Sequence, residues 1–212
     1  EAALKLKEAE MVGDIKEMRK LAARTAILTK DMVADAKNLI QNLGLPIVQA
    51  PSEGEAQTAY MVKMGDAYAS VSQDYDNLIF GCSVLIRNLS IEGKRKKTGK
   101  FGFQKIKPEI ILLDDVLNHL DISQDQLIIA AILSGTDYNP GGIKGIGPKK
   151  SLKLLNEHGQ DFEKIFKRVK WAENYPDLSW QEIFSTIKEI PVTDEYDLEW
   201  KKIDEDKLVQ LL

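Results

Sequence analysis

Two aspartates one residue apart, Asp74 and Asp76, follow a β-prone run at residues 67–71 and precede the apolar Leu78, Ile79 and Phe80. A buried strand ending in such a D-x-D would aim both carboxylates past the carboxyl edge of a sheet, where α/β proteins place their ligands. In an extended chain this spacing puts both side chains on one face. Carboxylates held that close repel unless a cation or a shared proton lies between them. The same residues also suit an Asx-rich turn that caps a following helix, since Asp and Asn bond to their own backbone in turns. The motif by itself leaves both readings open.

A second acid pair, Glu53 and Glu55, stands in Ala50-Pro51-Ser52-Glu53-Gly54-Glu55-Ala56 at the predicted start of a helix. Ser52 and Glu55 have the spacing of a capping box, and Glu53 would complement the helix dipole. Residues two apart on a regular helix point to nearly opposite sides, so a shared site could use both only at the first turn. A fifth acid, Asp137, lies in Gly135-Thr136-Asp137-Tyr138, where a helix gives way to a loop. That loop runs on through Ile143-Lys144-Gly145-Ile146-Gly147 to Pro148-Lys149-Lys150. Glycines ahead of a helix N-terminus let the backbone approach a phosphate, N–H groups donate to it, and lysines add charge. Lys144, Gly145, Gly147, Lys149 and Lys150 are therefore candidate DNA-backbone contacts, which would carry no base information. A plain Gly-rich turn between helices is the other reading.

The elements that would position these groups alternate between helix and strand. Helical spacing of apolar residues predicts one long helix over residues 14–43, stopped by Gly44 and Pro46. A helix over residues 1–10, joined at Gly13, could precede it. A short strand follows at residues 45–49, then a helix through Met64 closed by Gly65. Strands at residues 67–71 and 84–89 complete a β/α alternation and suggest a mainly parallel sheet. Residues 91–107, rich in Gly and Lys, read as an exposed hairpin or loop. Pro108 suits a helix N1 position and predicts a helix to His119. Ser123 and Gln126 form a capping box for a helix through Leu133. Amphipathic segments follow at residues 162–169, 180–187 and 205–212. Trp171, Trp180 and Trp200 read as core and docking residues rather than stacking platforms.

The 212 residues suffice for a substantial core, and a hydrophobic fraction of 43% is that of a globular protein. No apolar run approaches the roughly 20 residues of a membrane span. The opening residues do not resemble a signal peptide, and the single Cys82 favours a reducing, intracellular setting. One cysteine with His119 and His158 argues against a structural zinc site. The net charge of −4 excludes a globally basic nucleic-acid binder. Lysines and arginine crowd residues 94–107, and Lys144, Lys149, Lys150 and Lys153 form a second patch. Basic patches beside an acidic pocket suit a polyanion and a divalent cation together, although a lysine run is also ordinary solvated surface.

Taken in order, the Glu53–Glu55, Asp74–Asp76 and Gly135-Thr136-Asp137-Tyr138 stretches, with the Gly145-Ile146-Gly147-Pro148 loop, resemble the flap endonuclease family of structure-specific 5′ nucleases, above all its archaeal members. The resemblance runs over essentially the whole chain. It implies an α/β fold with a PIN-like, mainly parallel sheet flanked by helices, a helix–two-turn–helix (helix-hairpin-helix) DNA-binding region and a helical C-terminal part. The implied parts are descending arch helices at 1–43, the nuclease core at 44–133, the helix–two-turn–helix region at 134–170 and a C-terminal helical segment at 171–212.

It also implies hydrolysis of DNA phosphodiesters at 5′ flaps, with 5′–3′ exonuclease action, in replication and repair. Glu53, Glu55, Asp74, Asp76 and Asp137 match the family's catalytic, metal-binding carboxylates, which would hold two Mg2+ ions, with Mn2+ able to substitute. Among them Glu55, Asp74 and Asp76 would be direct ligands, and Glu53 and Asp137 would act through water. Lys144, Gly145, Gly147, Lys149 and Lys150 match the duplex-binding loop, where carbonyls hold a K+ ion in the family. Lys20 and Arg24 fall where the arch descends. Branched DNA with a 5′ flap is the implied partner, with a sliding clamp for the full-length protein and an intracellular, cytoplasmic or nucleoid location. Ser151 stands where the family usually has Ala. The family's two further metal-binding aspartates and the arch's catalytic Lys and Arg have no counterpart here, so the sequence reads as the C-terminal portion of a flap endonuclease. Such a portion could itself be a non-catalytic duplex-binding module, or could oligomerise through an exposed sheet edge.

Overall fold

The computed structural model describes residues 11–12, 15, 28–90, 93–96 and 102–211. It comprises two compact units, one of residues 1–48 with 195–212 and one of residues 49–194.

In the first unit, helix α1 (Lys30–Asn42) opens at Thr29, whose extended backbone and Oγ1, accepting from the Met32 N–H at 3.2 Å, form a side-chain N-cap. The single helix predicted over 14–43 is thus interrupted. Helical residues occur at 11, 12 and 15, but Leu28 and Thr29 are not helical. A β-branched hydroxyl residue competes with the helix ladder and favours the cap, which periodicity does not register. The predicted helix over 1–10, Gly13, Lys20 and Arg24 lie outside the described residues. Gly44 ends α1 with a φ of +75° and lies against the chain's return, where the Lys201 N–H donates to its carbonyl at 2.8 Å. The last helix, α10 (Glu205–Leu211), packs on α1.

Residues 45–50 form no strand among the described residues, which corrects the expectation for 45–49. An apolar run becomes a strand only where the fold supplies a neighbouring strand in register, which periodicity does not encode. Trp200 is 74% exposed, against the expectation of a docking residue.

The second unit starts with α2 (Gly54–Met64), closed by Gly65 in the left-handed region. Strand β1 (Ser70–Val71) leads through a turn to the single-turn α3 (Asp76–Ile79), then to β2 (Val84–Arg87). The hairpin β3 (Lys94–Lys96) and β4 (Phe103–Lys105) is antiparallel, as expected of residues 91–107, and β5 (Glu109–Leu112) follows it.

The sheet order is β1–β2–β5. β1 and β2 are parallel, pairing Ser70 with Leu85, whereas β2 and β5 are antiparallel, pairing Arg87 with Glu109. The sheet is therefore mixed rather than mainly parallel, because the hairpin reverses the chain before β5. Pro108 precedes this strand instead of opening a helix. The run Glu109-Ile110-Ile111-Leu112 favours extended backbone, and a proline lacking an N–H is tolerated at a strand's edge. Helix α4 (Leu113–Leu120) starts five residues later than predicted.

Helix α5 (Gln124–Ser134) is the centre of the largest core. Its Ser123–Gln126 capping box forms as the sequence predicts. Ile128, Ile129, Ile132 and Leu133 are buried against Leu155 of α6 (Pro148–His158), Ile165 and Phe166 of α7 (Phe162–Arg168), and Ile183 and Ile187 of α9 (Trp180–Lys188). Trp171 of the short α8 (Trp171–Asn174) is buried in this core, and the half-buried Trp180 stacks on Phe166 at 4.4 Å between centroids. A second capping box, Ser179–Glu182, opens α9.

The loop between α5 and α6 folds back on itself. A Cβ on Gly142 would meet Ser134 C at 2.4 Å and Gly135 N at 2.5 Å, and Gly142 has a φ of +54°. Gly141 also has a positive φ, +85°, but open space around it. Gly142→Ala therefore combines backbone strain with a steric clash and should cost at least about 2–4 kcal/mol in urea unfolding. Gly141→Ala carries only the strain and should cost about 1 kcal/mol. Equal losses for the two variants would show that the close approach at Gly142 is not limiting.

Candidate active site

The candidate carboxylates gather where α2, the turn after β1 and the loop after α5 meet, all within the second unit. Glu53 is the N-cap residue of α2 and Glu55 lies in its first turn, both half-buried. The predicted Ser52–Glu55 capping box does not form, and no side chain caps this helix. The two carboxylates are engaged elsewhere. The Tyr138 hydroxyl donates to Glu53 Oε1 at 2.5 Å, and the Ser72 hydroxyl donates to Glu55 Oε1 at 3.4 Å.

Asp74 and Asp76 sit in a turn, not in an extended strand. The Asp74 N–H donates to Ser72 Oγ at 3.1 Å, and the Asp76 N–H donates to Asp74 Oδ1 at 3.2 Å. Asp76 then starts the helical turn α3. Same-face alternation along a strand is therefore not what joins the two aspartates. An Asx turn does so, and it serves the acid cluster as well as the backbone.

Asn77, next in the chain, is fully buried. Its Nδ2 lies 3.0 Å from the Glu55 carbonyl, 2.9 Å from Thr58 Oγ1 and 3.0 Å from Ser70 Oγ. One amide thus ties the first turn of α2 to the end of β1 and to the D-x-D turn. Sequence reasoning did not single out Asn77. Its signal was an amide among Asp76, Leu78 and Ile79, where an exposed turn would carry no apolar neighbours. Arg87, which contacts the same turn, was also missed.

The electrostatics show that all five acids share one region. The carboxyl of Asp76 is pushed up from 3.8 to about 6, first by burial and then by the charges of Asp74, Asp137, Glu53 and Glu55. Tyr138 is held above the ordinary phenol range, first by burial and then by its hydrogen bond to Glu53. Among the described residues, no three His, Cys, Asp or Glu side chains lie close enough to hold a metal ion in this arrangement. The other four acids are thus near enough to raise the proton affinity of Asp76 without forming a closed cage. Their donor set, carboxylate oxygen only, matches a hard divalent cation.

The candidate DNA-contacting residues follow on the loop after Tyr138. Lys144, Gly145, Lys149 and Lys150 are exposed, and Gly147 is half-buried as the N-cap of α6, with Pro148 at N1. Lys150 Nζ donates to the Gly145 carbonyl at 2.6 Å. The loop is pinned from below. Ile143 is buried and its N–H donates to the Leu133 carbonyl, while the Tyr175 hydroxyl donates to the Gly142 carbonyl at 3.0 Å. Asn139, also buried, donates to the Ile132 carbonyl at 2.8 Å and accepts from Thr136 Oγ1 at 2.7 Å. Ser151 is buried, with its hydroxyl 3.2 Å from the Gly147 carbonyl.

The XPG I-region family matches residues 44–137, the segment that carries all five acids. Flap endonuclease 1 of Pyrococcus abyssi is 50% identical over the whole chain, and that of Thermofilum pendens 49% identical. The chain spans about 60% of the length of both proteins. Flap endonuclease-1 from Methanococcus jannaschii superposes with a TM-score of 0.72 at 40% identity, over 94% of this chain and 57% of that one. The catalytic core of Rad2 in complex with DNA substrate shares the fold, with a TM-score of 0.67 at 21% identity, over 91% of this chain and 66% of that one. Among the described residues, no helix is long and apolar enough to cross a membrane. In its acid motifs, its fold and its whole length, the chain is similar to these flap endonucleases.

Proposed function

We propose that this chain carries the carboxylate centre and a duplex-gripping loop of an enzyme that hydrolyses DNA phosphodiesters at 5′ flaps, with Mg2+ as cofactor. The observation that carries this reading is the convergence of four acidic charges on Asp76, drawn from three separate stretches of sequence. A protein gains nothing in stability from assembling five acids at one rim, so the arrangement points to a cationic ligand. Glu55, Asp74 and Asp76 would bind the ions directly, and Glu53 and Asp137 would act through water. Bound divalent cations would supply hydroxide at neutral pH and stabilise the charge on the entering and leaving oxygens.

The chain's own residues hold this set in order. Tyr138 orients Glu53, Ser72 orients Glu55, and the Asx turn fixes Asp76 against Asp74. The Gly-rich loop and the N-terminus of α6 would form the helix–two-turn–helix contact with duplex phosphates, through Lys144, Lys149, Lys150 and the backbone at Gly145 and Gly147. A K+ ion in the same loop would compete with Lys150 Nζ for the Gly145 carbonyl. Branched DNA is the partner this reading names, and a sliding clamp would join through the full-length protein. A second reading, a non-catalytic duplex-binding module, draws on the open spacing of the acids.

Cleavage of labelled 5′-flap DNA by the chain, with Mg2+ and with EDTA, separates the two readings. Cutting at the flap junction that EDTA abolishes supports the nuclease reading, and binding without cutting supports the module. In the cutting protein, Asp74→Ala or Asp76→Ala should lower the rate by about a hundredfold or more while flap binding persists. Full activity in either variant would remove these residues from the metal site. Lys149→Ala with Lys150→Ala should weaken duplex binding and reduce the steepness of its salt dependence by roughly 2; an unchanged slope would exclude phosphate contacts by these lysines.

The raised carboxyl of Asp76 gives a pH signature in the absence of divalent cations. A group whose folded value, about 6, exceeds its ordinary 3.8 stabilises the fold below the ordinary value and loses that contribution as pH rises through the folded one. Thermal stability in EDTA should therefore fall between pH 4 and pH 6–7. Asp76→Asn should flatten that fall, and divalent cation should restore stability to the unsubstituted chain at pH 7. A melting profile identical for the two proteins would contradict the crowding of charge at Asp76.

A further inference from the structure

We infer that Arg87 is a positioning residue for the candidate metal-binding carboxylates, latching the turn that presents Asp74 and Asp76; the inference rests on the metal-site reading above. The turn needs such a latch. Gln73, Asp74 and Tyr75 are exposed, no ladder bond holds them after Ser72, and the acids they carry repel one another. Arg87 reaches the turn from β2, the middle strand of the sheet, which is hydrogen-bonded on both sides and makes a rigid base.

Its guanidinium grips both neighbours of Asp74. On one side, Nε and Nη2 donate together to the Gln73 carbonyl, at 3.2 and 3.1 Å. On the other, the guanidinium lies 4.0 Å from the centre of the Tyr75 ring, and Nη1 donates to the Tyr75 hydroxyl. Glu109, directly opposite Arg87 on β5, lies 3.9 Å from Nη1 as an ion-pair partner. The arginine side chain is only 14% exposed, so this is a docked group and not a solvated surface charge. Tyr75 keeps its place between the two aspartates because its ring is pressed on a flat cation, although 52% of the residue is exposed.

The geometry needs arginine. Two N–H groups in a planar fork converge on one carbonyl while the plane stacks on a ring, whereas an ammonium group offers a single point of contact. The charges acting on Asp76 are those of the four acids, so Arg87 works through the shape of the turn and not as a counter-ion to that carboxylate. Residues that orient metal ligands from outside the coordination shell typically change metal affinity by about 10–100-fold when removed.

The test is Mn2+ binding followed by electron paramagnetic resonance on the chain, with a thermal melt of each variant. Arg87→Ala should weaken Mn2+ binding by about tenfold while the melting midpoint stays near that of the unsubstituted chain. Arg87→Lys should recover part of the loss. Tyr75→Phe, which removes only the hydroxyl of an exposed residue, should weaken binding by about two- to threefold and covers the case in which Arg87→Ala fails to fold. Unchanged Mn2+ affinity in Arg87→Ala, or in Tyr75→Phe should the alanine variant unfold, would overturn the inference. A loss that follows the melting midpoint without rescue by lysine would overturn it too, as would its failure to appear while Asp76→Ala abolishes binding. Absence of Mn2+ binding to the unsubstituted chain would instead refute the metal-site reading on which it rests.

Discussion

The buried side-chain amide of Asn77 is the constraint on which the site depends. It lies within hydrogen-bond reach of the Glu55 carbonyl, Thr58 Oγ1 and Ser70 Oγ, and so joins α2, the end of β1 and the D-x-D turn at one point. Ser70 and Thr58 add to the junction, since Ser70 Oγ donates to Thr58 Oγ1 and Thr58 Oγ1 donates to the Glu55 carbonyl. Bonds from one buried amide to groups on all three elements hold them in a fixed relation, although Asn77 Oδ1 itself has no hydrogen-bond partner among the described residues. With that relation fixed, Glu55 and Asp76 face the same region whatever their charges prefer.

What they prefer is separation. Four acids raise the proton affinity of Asp76, and burial adds to the effect. Local bonds resist this repulsion: Tyr138 holds Glu53, Ser72 holds Glu55, and Asp74 accepts from the Asp76 backbone. The site is thus an assembly of like charges maintained by neutral donors and by the geometry of the surrounding backbone. Such a site stores unfavourable electrostatic energy, which is a common property of functional centres in folded proteins.

A second set of constraints places the Gly-rich loop. The core around α5 anchors both loop ends, through Leu133 on one side and Leu155 on the other. Gly135 and Gly142 approach back to back, and Tyr175, stacked on the buried Trp171, reaches the Gly142 carbonyl. Tyr138 leads from this loop to Glu53, so the same segment that displays the lysines also orients one member of the acid cluster. The lysines and the acid cluster are thus mechanically linked through fewer than fifteen residues.

The five acids and the lysine loop were legible in the sequence because their types and order carry chemistry directly. Local signals held as well: the Ser123–Gln126 box, Pro148 at N1, and the stops at Gly44 and Gly65 depend on neighbours a few residues away. The failures in the sheet share one cause. Strand pairing is set by the fold, so residues 45–49 are not a strand, residues 109–112 are, and the sheet acquired an antiparallel edge when the hairpin reversed the chain. Trp200 is exposed and Trp171 buried for reasons of packing that hydrophobicity does not encode. Asn77 and Arg87 look ordinary in the chain because their partners, Ser70 and Thr58 for one, Gln73 and Tyr75 for the other, are defined only by the fold. Sequence alone determined which groups could do chemistry. Tertiary structure decided which backbone and side-chain donors hold them in place, because hydrogen bonds between distant segments depend on distances that only folding sets.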